Sequence, residues 1–171
     1  AWEIYKVTGS REWLEKVYPV AKKSLEVDIR TIYDERTGLA KGESSFIDWR
    51  KNSYPLWMES ADIYDSKCLG TNVVHYIALT SAAEMGRILG DAASAELFDA
   101  KASALKEAVN RHLWMDDKGY YAQFLAGRND DILYTKSETL GQSLAILYGV
   151  AEGERAGRLS QSMPVVDFGA P

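Results

Sequence analysis

Apolar residues recur at helical spacing from Ser10 to about Ile32: Trp13, Leu14, Val17, Tyr18, Ala21, Leu25, Ile29 and Ile32. Arg11, Glu15, Lys16, Lys22, Lys23 and Glu26 fill the opposite face. This is an amphipathic helix with one wet side. Ser10 can cap its start, and Glu12 suits the first turn. Pro19 lies inside the pattern and predicts a kink or a split into two helices. A second helix is predicted over Thr71–Leu89, capped by Thr71 and stopped by Gly90. It is apolar nearly all round, with only Glu84 and Arg87 charged in its interior, which predicts burial on all sides. The third helix, Ala92–Trp114, is amphipathic again. Leu97, Phe98, Ala102, Leu105, Val109 and Leu113 form the expected buried stripe. A mostly apolar fourth helix spans Ser137 to Gly149, and a fifth runs from Glu154 to Pro164. The tail from Val165 to Pro171 reads as extended chain.

Between the helices the pattern changes. Asp34-Glu35-Arg36-Thr37-Gly38 and Asp116-Asp117-Lys118-Gly119 are turn signals. Tyr120–Phe124 then reads as a short strand. The stretch from Tyr33 to Leu69 is too long for a simple connection, and its Phe46, Trp49, Tyr54 and Trp57 argue for function over disorder.

The elements repeat: amphipathic helix, turn with a glycine, loop or hairpin, apolar helix, glycine, next amphipathic helix. Gly38 and Gly119 mark equivalent points, and the second loop is shorter. Alternating wet and dry helices predict two concentric layers, with each outer-to-inner connection on one rim. Both aromatic loops then share a face.

Composition narrows the function. The chain has 171 residues, 46% hydrophobic and 26% charged, as expected of a folded globular protein. A net charge of -5, with no basic patch, argues against a nucleic-acid partner. No apolar run reaches the roughly 18 residues of a membrane span, and no signal-peptide pattern begins at Ala1. One cysteine, Cys68, excludes an internal disulfide, and the pair His75 and His112 argues against a metal site; neither metal nor cofactor is expected. Five Trp and ten Tyr are many, and rings placed in loops suit stacking on flat ligand faces such as sugars.

Particular strings carry a resemblance. Gly90-Asp91, Ala93, Phe98, Lys101-Ala102, Leu105-Lys106, Ala108-Val109-Asn110, Leu113-Trp114 and Asp117-Lys118-Gly119-Tyr120-Tyr121 resemble a recurring segment of six-hairpin glycosidases. These are the (α/α)6-barrel enzymes that include trehalases, processing glucosidases and glucoamylase-like enzymes. Glu43-Ser44-Ser45-Phe46-Ile47-Asp48-Trp49-Arg50 is similar to the trehalase stretch E-S-G-W-D-x-S-x-R, whose Asp is the general acid. Here one more residue separates Glu43 from Asp48, which leaves the sugar open. Leu69-Gly70-Thr71-Asn72-Val73 resembles the start of the following inner helix, where an Asn often lines the site. Bacterial members of the superfamily are the most similar.

The resemblance implies an all-α toroid with short β-hairpins in its rim loops, and glycoside hydrolysis of an oligosaccharide by acid/base chemistry with inversion. It implies Asp48 as the general acid and Asn72 as a site-lining residue; Glu43 is a candidate supporting carboxylate or sugar-hydroxyl acceptor, and Trp49, Arg50, Trp57, Tyr121 and Glu138 are candidates for substrate contact. Each has a plainer reading. Asp48 can bond Arg50 or cap a turn, Glu43 can be solvated, and Trp49 or Trp57 can cover the core. Asn72 suits capping, and Glu138, like Asp130 and Asp131, suits a helix start through the dipole alone. Cys68 reads as a buried thiol, and His75 and His112 as packed or surface histidines. Six hairpins need on the order of twice this length or more, so about two repeats and the start of a third are expected, the remaining hairpins belonging to the same polypeptide. The resemblance favours a periplasmic or extracellular location. Two other readings stand beside it: a non-catalytic carbohydrate-binding or scaffold module of the same fold, and an (α/α)-toroid lyase or epimerase. A lyase acting on uronic acids should show a basic rim, which the acidic surplus disfavours.

Overall fold

The computed structural model describes residues 1–42, 54–127, 131–165 and 167. Among them are helices α1 (Trp2–Thr8), α2 (Arg11–Thr31), α3 (Ser60–Asp65), α4 (Leu69–Leu89), α5 (Ala92–His112), α6 (Thr139–Leu147) and α7 (Gly153–Ser162). Strands β1 (Lys67–Cys68), β4 (Phe124–Ala126) and β5 (Ile132–Tyr134) form one antiparallel sheet in the order β1-β4-β5. Strands β2 (Trp114–Met115) and β3 (Tyr120–Tyr121) form a separate hairpin.

The outer and inner layers separate as the hydrophobic pattern predicts. Helix α4 exposes only Val74, Glu84 and Arg87, whereas α5 exposes residues at every turn, among them Glu96, Ala100, Glu107 and Arg111. Between them lies the main core, with Leu14, Val73, Leu79, Phe98, Leu105 and Val109 all fully enclosed. Each such side chain contributes roughly 1.5–3 kcal/mol by leaving water.

Some expectations are corrected by packing. Pro19 does not divide α2, which is one continuous helix of 21 residues. Pro19 and Glu15 both face solvent, so water can serve the Glu15 carbonyl that the proline cannot. Leu97 is 46% exposed rather than buried, because the stripe through Ala95, Phe98, Ala102 and Leu105 turns it to the flank. The strand expected over Tyr120–Phe124 is two strands. Tyr120–Tyr121 pairs with β2, and Phe124 begins β4. Trp114 leaves α5 to join that first hairpin. Helices α1 and α3, of seven and six residues, are too short to be read from periodicity.

Helix α4 is not enclosed on every side. A groove of about 440 Å³ opens between α1, α2 and α4, lined by Trp2, Ala21, Leu25, Val74, Ile77 and Met85. On α6, Leu140 and Leu147 are exposed as well. Helix α4 thus keeps an open apolar groove, and α6 keeps two exposed leucines.

The repeat is visible in backbone geometry. Helices α2 and α5 have the same length and end on caps with φ -109° at Ile32 and Leu113. Each helix then turns into a hairpin at a left-handed glycine, Gly38 (φ 75°) or Gly119 (φ 74°). Gly38 N–H donates to Asp34 O at 2.7 Å and Gly119 N–H to Met115 O at 2.8 Å. Lys41 N–H donates to Ile32 O and Ala122 N–H to Leu113 O, both at 2.8 Å. Ile32, Asp34, Gly38, Ala40 and Lys41 thus recur at one constant offset as Leu113, Met115, Gly119, Tyr121 and Ala122. Positive φ is the reason for glycine at these two turns.

Outer helices begin on side-chain caps. Ser10 Oγ accepts from Trp13 N–H in α2, and Asp91 from Ser94 N–H in α5. Asp91 also takes a hydrogen bond from Lys22 Nζ at 2.7 Å and from the Tyr18 hydroxyl at 3.0 Å, tying α2 to the start of α5. Lys22 first, then Ser94, holds the Asp91 carboxyl well below the usual carboxylate range, against some desolvation. A depressed folded-state pKa adds stability above the unfolded value of about 3.9, and that stability is lost as pH falls through the folded value. The melting temperature of the native protein should therefore fall below about pH 4. In Asp91→Asn that acid-side slope should be shallower, and an unchanged slope would show that the carboxylate is not a source of it.

Candidate functional site

Inner helices α4 and α6 start on the same side of the molecule, where the outer-to-inner connections cross. Their first turns nearly touch: a methyl group at Gly141 would lie 3.0 Å from the Gly70 nitrogen and inside the space of Glu138 Oε1. Only glycine at 141 permits this approach. Glu138 is buried at the start of α6, and its Oε1 accepts from Gly141 N–H at 2.7 Å. The carboxylate thus sits at the positive end of one inner helix, beside the first turn of the next.

The sheet β1-β4-β5 builds the floor of the rim. Phe124 stacks on Tyr134 at 4.6 Å, and Tyr54 leans on Phe124 at 5.7 Å. Met58, Cys68 and Ala126 complete a small apolar cluster there, so Cys68 is a buried thiol. Gly42 bridges to Lys67, its N–H donating to Ser66 O at 2.9 Å. Gly42 and Tyr54 are both seated on this sheet. Glu43, Asp48, Trp49 and Arg50, between them in sequence, lie outside the described residues, as does Asp130.

The other expected site residues are placed as follows. Trp57 is 53% exposed and stands next to the fully solvated Leu56, so it does not cover the core. Asn72 is fully buried; its Oδ1 accepts from Ala40 N–H at 2.7 Å, and its Nδ2 donates to Ala40 O at 3.1 Å and Cys68 O at 2.8 Å. Tyr121 is also fully buried and donates its hydroxyl to Asn110 Oδ1 at 2.6 Å, with its ring edge-on to Trp114. Burial pushes the Tyr121 phenol up, so it stays protonated. Glu138, Asn72 and Tyr121 share the rim end of the inner layer, and all three are engaged with backbone or side chains of the protein itself.

Two features of the rim are not apparent from the sequence. Arg36 makes a forked pair with Asp131 at 2.5 and 2.7 Å, joining the first hairpin to the approach of β5. Arg36 holds the Asp131 carboxyl below its ordinary range. Lys67 is almost wholly buried, 3.7 Å from Asp65, which also faces Lys41 at 3.5 Å. A lysine in a two-residue strand gives no periodic signal of burial. His75 lies on α4, edge-on to Tyr33, and burial lowers its basicity. No group of His, Cys, Asp and Glu among the described residues is arranged to hold a metal ion. No described helix is long and apolar enough to cross a membrane.

Alternating outer and inner helices, left-handed rim turns and rim hairpins define an α/α toroid of the six-hairpin class. Within that class the assignment is specific. Residues 1–164 match the model of the bacterial alpha-L-rhamnosidase 6 hairpin glycosidase domain, and the chain belongs to that family. Its fold is similar to the crystal structure of a GH78 family rhamnosidase of Bacillus sp. GL1, with a TM-score of 0.73 and 22% identity. The likeness covers 95% of this chain and 16% of that one, so the chain spans about one sixth of the rhamnosidase.

Proposed function

We propose that this chain is part of a glycoside hydrolase that removes an α-L-rhamnosyl group from an oligosaccharide by acid/base catalysis with inversion. The family match over residues 1–164 carries the reading. The rim supports it: a sheet at the inner-helix starts seats both Gly42 and Tyr54, on either side of the segment with Asp48 and Glu43. Asp48 is the general acid and Glu43 the supporting carboxylate of this proposal. Inversion asks for two carboxyl groups about 6.5–9.5 Å apart, with water between one of them and the sugar. Trp57, half-exposed, is suited to stack on a sugar ring. Asn72 and Tyr121, both enclosed, serve the rim from beneath it.

The apolar faces of α4 and α6 favour further hairpins of the same polypeptide as their cover. Exposed apolar surface of this kind promotes association when a helical array lacks polar end units. The full-length protein is expected to hydrolyse an aryl α-L-rhamnoside, with the opposite anomer of rhamnose as first product by NMR. The 171-residue chain alone is expected to be inactive and to self-associate in sedimentation. Binding of rhamnosides without hydrolysis would favour a carbohydrate-binding module. Hydrolysis by the short chain as a monomer would overturn the partial-ring reading.

A further inference from the structure

Asn72 and Gln142 are both the fourth residue of an inner helix, counted from Leu69 in α4 and Thr139 in α6. Both are fully buried. Each directs its carboxamide at one residue of the rim hairpin that precedes it. Asn72 accepts from Ala40 N–H at 2.7 Å and donates to Ala40 O at 3.1 Å. Gln142 accepts from Tyr121 N–H at 3.1 Å and donates to Tyr121 O at 2.6 Å. Ala40 and Tyr121 are equivalent positions, each two residues beyond a left-handed turn glycine.

A carboxamide carries a donor and an acceptor side by side, as a strand residue does. It can therefore pair with both polar groups of one backbone residue. In the interior those groups would otherwise be left unpaired at a cost. Two different amides, Asn and Gln, make the same pairing in two repeats, although the segments joining hairpin to helix differ in length. The pairing is thus a property of the repeat.

We infer that Asn72 and Gln142 are positioning residues, equivalent carboxamide pins that couple the inner-helix starts to the rim hairpins and so set the shape of the rim site. They act through the hairpins and touch no sugar. Gln142 also reaches Ser137 Oγ at 3.3 Å, the residue before Glu138, so its pin spans both sides of the second rim connection. The effect on activity rests on the glycosidase reading above; the pin itself does not.

Gln142→Glu in the full-length protein separates these. Ionised glutamate still accepts from Tyr121 N–H but cannot donate to Tyr121 O. The neutral acid does both, and burial favours the neutral form. At pH 8 the variant is expected to lose roughly tenfold in kcat/KM, the scale of one buried unsatisfied group, with part of the loss in KM. Exchange of the Tyr121 amide should accelerate over wild type at the same pH. Both differences should shrink towards pH 5. Gln142→Leu should show the loss without the recovery. Asn72→Asp is the second arm, read at the Ala40 amide. A loss in kcat that matches the fraction of unfolded protein seen by circular dichroism would overturn the positioning role. Unchanged exchange at Tyr121 and Ala40 would overturn the pins. Altered exchange in a protein that hydrolyses no rhamnoside would keep the pins and remove the glycosidase reading.

Discussion

With Asp48 as the proposed general acid, Asp48→Asn in the full-length protein is expected to cut turnover of a rhamnosyl disaccharide by roughly 10²–10⁴-fold, the usual contribution of such a group. The leaving sugar oxygen must gain a proton as its bond to the anomeric carbon breaks, and asparagine has none to give at useful cost. A general acid must hold a neutral carboxyl at working pH, which an apolar surrounding favours. With α-L-rhamnosyl fluoride, whose leaving group needs no proton, the same substitution should cost far less. Its melting temperature should match wild type. Equal loss on both substrates would assign Asp48 to base or structural duty. Glu43→Gln is the companion: loss of a supporting carboxylate that does not protonate the leaving group should cost alike on both substrates.

Phe98→Ala should destabilise the protein by about 3–5 kcal/mol, through lost burial and the cavity left behind. Phe98 is fully enclosed on α5. Its neighbour Leu97, 46% exposed on the same helix, should cost under about 1 kcal/mol as Leu97→Ala. Urea denaturation followed by tryptophan fluorescence reads both. The contrast is informative because both residues were expected in one stripe from sequence. If Leu97→Ala proved the costlier change, the assignment of the outer layer's inward face would be wrong.

Much of the fold is legible along the chain because helices and turns are local. The apolar stripe of α2, the Ser10 cap and the dry composition of α4 need only neighbours three or four residues apart. Gly38 and Gly119 mark equivalent turns for the same reason, since positive φ is a local demand. Boundaries were less legible. Trp114 continues the helical period of α5, yet it leaves the helix to pair with Tyr121. Tyr120–Phe124 reads as one strand, and the division falls where Gln123 N–H turns to Tyr134 and Lys136.

The candidate site divides the same way. Residue types at the rim, carboxylates and aromatic rings in the outer-to-inner connections, follow from sequence and from the resemblance it carries. The family match spans residues 1–164 and so takes in helices, turns and rim connections alike.

What the chain determined by itself is the alternation of layers, the repeat, and the rim as the common end of its connections. Each follows from periodicity and turn chemistry that act within a few residues. What only the tertiary structure decided is which polar groups are enclosed and what they hold. Asn72 and Gln142 grip hairpins that lie more than a helical turn away in sequence, Lys67 is buried in a two-residue strand, and Arg36 meets Asp131 across two connections. A side-chain amide or charge carries no periodic mark of its partner. Its role is set by which backbone groups the assembled helices would otherwise leave unpaired, and that is a property of the packed chain.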